Sequence, residues 1–408
     1  MKTKFSGGVV VLIAMWILAL SAIQPAQAQT FTVLHTFTGP DGANPVGGLV
    51  QDDAGNLYGT TYFGGSFTNG VAFKIDKSGD ESVLFNFNGG SNGCCFDSAL
   101  ILDSKGNLYG PAQEGTNGGG VLFRLSPKDQ EKVMFNFGGC ADCTRPKVPE
   151  GALLMDASGN LYGATTSGGV RGKGYQCEEG CGTIFKFDTS GKFHVLYSFT
   201  GGADGAWPYG PLLEDAAGNL YGVALYGGDL SCPQKPTRGC GTIFKLDKSE
   251  KLTVLYTFTG KADGAGPQPG LVTDKAGNFY GAAELGGNSN CDLGCGTLYK
   301  LSKNGKFTVL YSFTGAVDGN YPNGGLVRDS KGNLFGTTGI GTTNSIWGTV
   351  YELNQAGVMK VLHQLNGSTD GATPTGNLIR DAAGNLYGVA YNGFGRSDRL
   401  GTVFKVTP

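Results

Sequence analysis

The sequence predicts an all-β fold, a seven-bladed β-propeller, on three observations. A phrase close to Gly-Asn-Leu-Tyr-Gly recurs every 51 to 59 residues, each copy reads as four short strands, and the strand order is offset between the chain ends. The seven phrases start at Gly55, Gly106, Gly159, Gly218, Gly277, Gly332 and Gly384. A period in this range is typical of repeat architectures, so most of the chain is one module copied in tandem.

Each copy alternates apolar strand-like runs with turn residues. The first strand is Gly-Leu-Val-like, as at Gly48 to Gln51 or Gly270 to Thr273, and an Asp-x-x-Gly-Asn turn follows it. The second strand is typified by Leu161 to Thr165 and the third by Thr183 to Phe187, with a Gly-rich loop between them. A second tight turn leads to a Thr-Val-Leu-Tyr-like fourth strand. β-Branched and aromatic enrichment with period-two alternation favours strands over helices.

The two ends of the chain carry different strand types. After the leader the chain opens on a fourth strand, Phe31 to Phe37, and it closes on a third strand, Thr402 to Val406. A closed ring resolves this offset, because the opening strand then completes the seventh blade in a 3+1 arrangement. Closure also removes the exposed edges that an open stack of sheets would leave.

Residues 1–28 read as an export signal and residues 29–408 as the propeller. Lys2 and Lys4 precede an apolar run from Val9 to Ile23, and Ala26-Gln27-Ala28 offers small residues for cleavage. We therefore expect a secreted or periplasmic monomer with no membrane span after signal removal. A net charge of −2 without a Lys/Arg stripe argues against nucleic acid and anionic membranes as partners.

Ten cysteines follow the leader, an even number that fits an oxidising compartment. Three pairs occupy the same place in successive copies and predict local disulfides. These pairs are Cys177/Cys181, Cys232/Cys240 and Cys291/Cys295. Zinc is the alternative, but pairing loop by loop leaves no four-ligand cluster. The remaining four, Cys94, Cys95, Cys140 and Cys143, could pair within their loops or bridge two neighbouring loops.

The repeated phrases Gly-Leu-x-x-Asp, Gly-Asn-Leu-Tyr-Gly, Gly-Gly and Gly-Thr-Val-Phe resemble those of GloVer proteins, an exported bacterial tandem-repeat family. The resemblance runs from about Phe31 to the end of the chain. It implies an exported β-propeller, in a family described by its repeat and its variable C-terminal anchors rather than by a reaction. This sequence carries no such anchor, which does not support attachment to a surface. More distantly, the Asp-x-x-Gly-Asn-x-Tyr phrase is similar to NHL and SMP-30-like propellers, some of which are lactonases.

In a four-stranded blade the long connections after strands two and four share one face, and binding sites are usually built on such loops. The inter-blade phrase Asp-Gly-x-x-Pro lies there. Its carboxylates could gather Ca²⁺, although Asp-Gly also simply makes a turn. These residues are Asp41, Asp204, Asp263, Asp318 and Asp370. We expect no other cofactor.

The residue just before that proline varies while its surroundings stay constant, which is how a repeat protein diversifies a surface. It is Asn44, Trp207, Gly266, Tyr321 or Thr373. Trp207 and Tyr321, with Tyr209 and Tyr226, could stack on sugar rings, or they could pack blade against blade. We therefore predict ligand-binding roles for these four aromatic residues and Asn44.

Catalysis has weaker support. Glu114 and Glu284 follow second strands and could form an acid/base pair, although surface charge is the commoner meaning of such residues. His35, His194 and His363 occupy regular repeat positions, so we interpret them as structural. The first strands read as apolar and nearly alike, which argues against an asymmetric active site. The sequence thus favours a module that binds carbohydrate or an extracellular protein over a hydrolase, lyase or lactonase at the channel mouth.

Overall fold

The computed structural model describes residues 29–128, 130–138, 145–171, 177–235, 238–340, 347–391 and 400–408. The predicted signal peptide, residues 1–28, lies outside this part of the chain. The described residues form seven antiparallel sheets arranged as a ring, and no helix lies among them. The predicted fold class is therefore confirmed: the protein is an all-β, seven-bladed β-propeller.

The strands are numbered in chain order, and those of each blade run from the channel outwards. The opening strand is β1 (Thr30–Thr36). Blade 1 holds β2 (Ala43–Pro45), β3 (Val50–Gln51), β4 (Leu57–Phe63), β5 (Val71–Ile75) and β6 (Glu81–Asn86). Blade 2 holds β7 (Ile101–Leu102), β8 (Leu108–Ala112), β9 (Val121–Leu125) and β10 (Glu131–Asn136). Blade 3 holds β11 (Lys147–Met155), β12 (Leu161–Ser167), β13 (Thr183–Phe187) and β14 (Phe193–Ser198).

Blade 4 holds β15 (Ala206–Glu214), β16 (Leu220–Tyr226), β17 (Thr242–Leu246) and β18 (Leu252–Thr257). Blade 5 holds β19 (Ala265–Pro267), β20 (Val272–Thr273), β21 (Phe279–Leu285), β22 (Thr297–Leu301) and β23 (Phe307–Ser312). Blade 6 holds β24 (Asn320–Arg328), β25 (Leu334–Ile340), β26 (Thr349–Leu353) and β27 (Met359–Gln364). Blade 7 holds β28 (Pro374–Arg380), β29 (Leu386–Ala390) and β30 (Thr402–Thr407), with β1 outermost.

The innermost strands begin earlier than the sequence predicts. In blade 4, β15 starts at Ala206 and already includes the proline phrase that we interpreted as a turn. In blade 1 the same stretch forms two pieces, β2 and β3, which both pair with β4. The prediction was wrong here because Gly and Pro normally weaken a strand. The consequence is functional, since the variable residues of this phrase lie on the channel wall.

The two ends of the ring meet in blade 7. Strand β1 pairs antiparallel with β30, from Thr30 opposite Thr407 to Thr36 opposite Thr402. On the inner side, the hydroxyl of Thr375 in blade 7 donates to the carbonyl of Pro45 in blade 1 at 3.3 Å. The blade that holds the C-terminal strand therefore takes its outer strand from the start of the described chain.

The hydrophobic core is divided into layers between neighbouring blades. One layer joins Ile184 and Phe199 of blade 3 to Leu220 and Phe244 of blade 4. The layer across the closing seam joins Phe37 and Val403 with residues of blade 1. Each blade therefore depends on its neighbours for burial, as expected for a repeat protein.

A single aspartate organises each turn between the first and second strands. Oδ1 of Asp274 accepts the backbone N–H groups of Ala276 and Asn278, at 2.9 and 3.0 Å. Its Oδ2 accepts the side-chain amide of Asn278 at 2.7 Å and the hydroxyl of Tyr280 at 2.9 Å. The same contacts recur in other copies and explain why the phrase contains Asp, Asn and Tyr. Burial alone would raise the pKa of Asp274, but these hydrogen bonds lower it to about 2.

In the part of the chain that the structure describes, no helix is long and apolar enough to cross a membrane.

Acid should destabilise the protein through these turns. A folded-state pKa near 2 for Asp274, against about 3.9 for an unfolded aspartate, stabilises the fold above pH 4. This stabilisation is lost as the pH falls towards 2. We expect the melting temperature to fall steeply below pH 4 in a pH series. Asp274→Asn should melt lower than wild type at pH 6 and lose less on acidification; equal acid sensitivity would contradict the assignment.

Deleting Gln29 to Thr38 should destabilise or aggregate the protein. The deletion removes β1 and exposes β30 as a sheet edge in blade 7. Size-exclusion chromatography and thermal melts would measure the effect, with Thr32→Ala, which changes only one exposed side chain of β1, as the control. Full stability of the deletion variant would show that the pairing of β1 with β30 contributes nothing.

Candidate functional site

Seven residues, one from each blade, share an uncommon backbone conformation at the start of the innermost strands. Their φ angles lie between 50° and 66°, the left-handed region that residues other than glycine rarely adopt. We call them the mouth ring: Asn44, Cys95, Val148, Trp207, Gly266, Tyr321 and Thr373. Strain of this kind costs about 1–3 kcal/mol per residue and is concentrated at functional sites in proteins.

The preceding blade holds the backbone of six mouth-ring residues, all except Cys95. The N–H of Trp207 donates to the carbonyl of Cys181 at 2.9 Å, and that of Tyr321 donates to Cys295 at 3.0 Å. Both acceptors belong to disulfides, Cys177–Cys181 and Cys291–Cys295. A third disulfide, Cys232–Cys240, holds Gly266 in the same way. All three predicted disulfides are therefore confirmed, and each supports one residue of the mouth ring.

A second ring lies two residues further along each chain segment, deeper in the channel. We call it the channel ring: Val46, Asp97, Glu150, Tyr209, Gln268, Asn323 and Thr375. Six of these residues line a narrow channel of about 180 Å³, and Glu150 lines the wider space above it. The prediction that the first strands are apolar and nearly alike was wrong. It considered only the Gly-Leu-Val segment, whereas the channel-ring position, which is variable and mostly polar, lies before that segment.

The wider space is a cavity of about 390 Å³ on the long-loop face, at the mouth of the channel. It brings together four of the residues singled out from the sequence: Trp207, Tyr209, Tyr321 and Glu284. Its other lining residues are Glu150, Thr166, Leu225, Gln268, Asn323, Gly339 and Thr373. Tyr209, Gln268 and Asn323 also line the narrow channel, so the two spaces share a wall.

Gly266 leaves a gap in the mouth ring between Trp207 and Tyr321. A side-chain Cβ at Gly266 would lie 3.0 Å from Nζ of Lys235 and 3.5 Å from Oε2 of Glu284. Those two groups form an ion pair at 3.4 Å, and the Lys235 ammonium also lies 4.8 Å from the ring centre of Tyr226. The gap therefore opens the cavity between two aromatic side chains, with the ion pair at its edge.

Two half-buried carboxyl groups of the channel ring share one amide donor. Nε2 of Gln113 lies 2.5 Å from Oδ2 of Asp97 and 3.0 Å from Oε1 of Glu150. Burial raises the pKa of Asp97, although hydrogen bonds from Ser98 and Gln113 oppose this. Burial and the negative charge of Asp97 raise the pKa of Glu150. Tyr209 faces both groups, and its pKa is raised by burial and by their charges.

Sequence reasoning missed Asp97, Gln113 and Glu150. The available signal was the repeat alignment, in which the second residue after the mouth ring changes type in every copy.

The other predicted ligand residues lie beside the cavity. Tyr226 is 7% exposed and packs edge-on against Trp207, with ring centres 5.2 Å apart. Asn44 is 8% exposed, and its side-chain amide donates to the carbonyl of Tyr391 at 3.3 Å. Tyr226 supports the aromatic wall, whereas Asn44 joins blade 1 to blade 7.

Glu114 and Glu284 have different partners in the structure. Glu284 lines the cavity and pairs with Lys235, whereas the exposed Glu114 lies 3.7 Å from the thiol of Cys94. The predicted acid/base pair was therefore wrong, because Glu284 lies within β21 of blade 5, whereas Glu114 lies in the loop after β8 of blade 2.

The inter-blade aspartates act as caps within their own loops. Oδ2 of Asp204 accepts the hydroxyl of Tyr197 at 3.1 Å and the backbone N–H of Thr200 at 2.8 Å. His35 and His363 replace that tyrosine opposite Asp41 and Asp370, at 2.9 and 2.8 Å, which matches their predicted structural role. The two remaining aspartates, Asp263 and Asp318, make equivalent contacts. The five carboxylates are therefore held apart rather than gathered around one Ca²⁺ site.

Two groups among the described residues bring three possible metal-ligand atoms within 4.8 Å of one another. They are Cys94, Cys95 and Glu114, and His35, Asp41 and Glu81. The thiol sulfurs of Cys94 and Cys95 lie 2.8 Å apart without a disulfide between them. Cys140 and Cys143 lie outside the described residues, so the predicted alternatives for these four cysteines stay open.

The geometry and the repeat agree with a known family. The family model of the Gloeobacter/Verrucomicrobia repeat matches residues 20–176 and 230–408. The chain belongs to this family. The resemblance inferred from the repeated phrases is thus confirmed, and the mouth and channel rings are features of a family member. No curated protein matches the chain.

Solved structures share the fold at low sequence identity. The extracellular domain of a hybrid two-component system from B. thetaiotaomicron is 12% identical, with a TM-score of 0.57 over 92% of this chain and 39% of that one. A puromycin hydrolase is 10% identical, with a TM-score of 0.56 over 86% of this chain and 51% of that one. This family member therefore spans about half or less of the length of these structures, and the similarity extends to the propeller fold alone.

Reduction of the disulfides should lower the melting temperature and loosen the mouth ring. Each disulfide closes a loop of four to eight residues, which restricts the unfolded chain by about 2 kcal/mol. Thermal melts with and without a strong reductant measure the effect. A variant with Cys94→Ser and Cys95→Ser is the control and should show the same drop; an unchanged wild-type melt would contradict a stabilising role.

Proposed function

We propose that this family member is an exported binding module that takes a saccharide into the cavity at the channel mouth. The observation that carries the proposal is the combination of Trp207, Tyr209 and Tyr321 with carboxyl and amide groups around one cavity. A volume of about 390 Å³ is within the usual range for a small-ligand site.

Sugar rings present apolar C–H faces and a rim of hydroxyl groups. Aromatic side chains suit the faces, while carboxylates and amides hydrogen-bond the hydroxyls. Glu150, Gln268 and Asn323 supply both acceptors and donors on the cavity wall. The pairing of an aromatic rim with a polar floor therefore favours a saccharide over a purely apolar ligand. An extracellular protein ligand is the alternative partner.

The proposed location follows from the disulfides. Three disulfides within one chain are typical of an oxidising compartment outside the cytoplasm. Together with the leader-like sequence of residues 1–28, this supports a secreted or periplasmic protein. A saccharide ligand from an envelope or extracellular polymer is consistent with that location.

A hydrolase, lyase or lactonase is the second candidate function, and the Asp97–Glu150 pair favours it. Two carboxyl groups with raised pKa values at the end of a cavity can serve as acid and base. Breakdown of a bound saccharide on incubation, lost in Glu150→Gln, would make the protein an enzyme.

A glycan array probed with the purified protein tests the proposed function. We expect selective binding that Trp207→Ala and Tyr321→Ala each weaken about tenfold or more, because each loses one stacking surface. Gly266→Trp should abolish binding by filling the gap. Its backbone strain is tolerable because Trp207 adopts a φ of 55° at the same position of blade 4.

Phe67→Ala is the matched control, because Phe67 is 55% exposed on a long-loop connection but lies outside the cavity lining. Glycan binding that survives Trp207→Ala, Tyr321→Ala and Gly266→Trp would show that the cavity is not the site. If the protein binds no glycan on the array, an extracellular protein becomes the proposed ligand.

A further inference from the structure

We infer that the cavity selects saccharides that carry a positively charged amine, and that Asp97 and Glu150 receive this ammonium group. The inference rests on the proposed saccharide site and adds the chemical class of its ligand. It starts from the position of the two carboxyl groups, at the junction of the cavity and the narrow channel. A sugar stacked at the mouth ring would point a substituent towards this junction.

The two carboxyl groups lack a cationic partner in the described part of the chain. Their protein contacts are the neutral donors Ser98, Gln113 and Thr166. No ion pair between described residues includes either group. A carboxylate removed from water without a countercharge is costly, and this cost raises the pKa of both groups. An ammonium group from a ligand would supply the missing charge.

The other charged and titratable groups around the cavity do not supply a positive charge to Asp97 and Glu150. Lys235 lies beside Gly266 at the cavity, but its ammonium is paired with Glu284 and lies over Tyr226. Lys147, on the same strand as Glu150, is paired with Glu179. Tyr209 and Tyr321 face carboxylates, and burial and those charges raise the pKa of each phenol. Tyr62, whose pKa is raised by burial and by contact with Cys95, also faces Asp97 and Glu114. The potential at the junction is therefore negative.

The lining favours an organic ammonium over the other saccharide classes. Aromatic faces attract ammonium groups, and Tyr209 lines both the cavity and the channel. A neutral acetamido group would leave the carboxylates uncompensated. A uronic acid would add a like charge beside them, which is unfavourable. The amide nitrogen of Gln113 already donates to both carboxyl groups, so it offers little to an anion.

Calorimetric titration with three tetrasaccharides tests the inference. The probes are glucosamine tetramer (cationic), N-acetylglucosamine tetramer (neutral) and galacturonic acid tetramer (anionic), at pH 5.0 and pH 7.0. We expect the cationic tetramer to bind at least tenfold more tightly than the neutral one at pH 7.0, with the anionic one weakest. The preference for the cationic tetramer should shrink at pH 5.0, because the raised pKa of Glu150 favours its uncharged form as the pH falls.

Glu150→Gln and Asp97→Asn keep the side-chain shape and remove the charge. Each should cut the preference for the cationic over the neutral tetramer at least fivefold and flatten the pH dependence of that preference. Asp53→Asn, at an exposed tight-turn position on the opposite face, is the matched control. Melting curves establish that the variants are folded. Because two variants each remove one charge, the inference is still tested if one of them fails to fold.

Equal affinity for the cationic and neutral tetramers, with Trp207→Ala weakening both, would overturn this inference and leave the proposed function standing. No binding of any tetramer together with a blank glycan array would overturn both. A melting temperature raised by CaCl₂ in wild type but not in Glu150→Gln would overturn the ammonium assignment in favour of a divalent cation.

Discussion

A hydrogen bond that crosses the blade boundary to six of the seven mouth-ring residues is the constraint on which the site depends. It runs from the N–H of a left-handed residue, such as Trp207, to a carbonyl of the preceding blade, such as that of Cys181. In five blades the innermost strand already includes this residue and the proline that follows it. Because the bond recurs around the ring, the inner strands enter the channel at one level. The strain at each position is offset by contacts that only a complete ring provides.

Carboxylates have two different tasks in this propeller. Those of the repeated phrases, such as Asp274 and Asp204, are saturated by local donors and hold turns in place on the two faces. Those of the channel ring, Asp97 and Glu150, share a single amide donor and are half-buried without a countercharge among the described residues. The first kind stabilises the turns, and the second kind leaves two carboxyl groups without a countercharge at the centre of the channel. The first kind belongs to the repeated turn phrases of the sequence, and the second kind lies outside them.

The fold was predictable because its determinants are local and repeated seven times. Turn phrases, strand alternation and the spacing of Cys177 and Cys181 all act within one copy. The channel was harder, since Val46 and Thr375 are neighbours across the seam although most of the chain separates them. The Gly- and Pro-rich phrase also hid the start of the first strand. Trp207, Tyr209 and Tyr321, singled out from the sequence, line one cavity, and their role as ligand residues stays a prediction. Gln113, which contacts the channel carboxyl groups, was missed, although its neighbour Glu114 was named from the sequence.

The mouth ring keeps one backbone conformation for seven different side chains, from Gly266 to Trp207. The scaffold is thus indifferent to what each blade presents at this point. Duplication and exchange of whole blades during evolution could therefore change the side chains of the lining one blade at a time without altering the backbone. The same property makes the molecule a natural template for combinatorial libraries, in which seven codons would encode a new recognition surface.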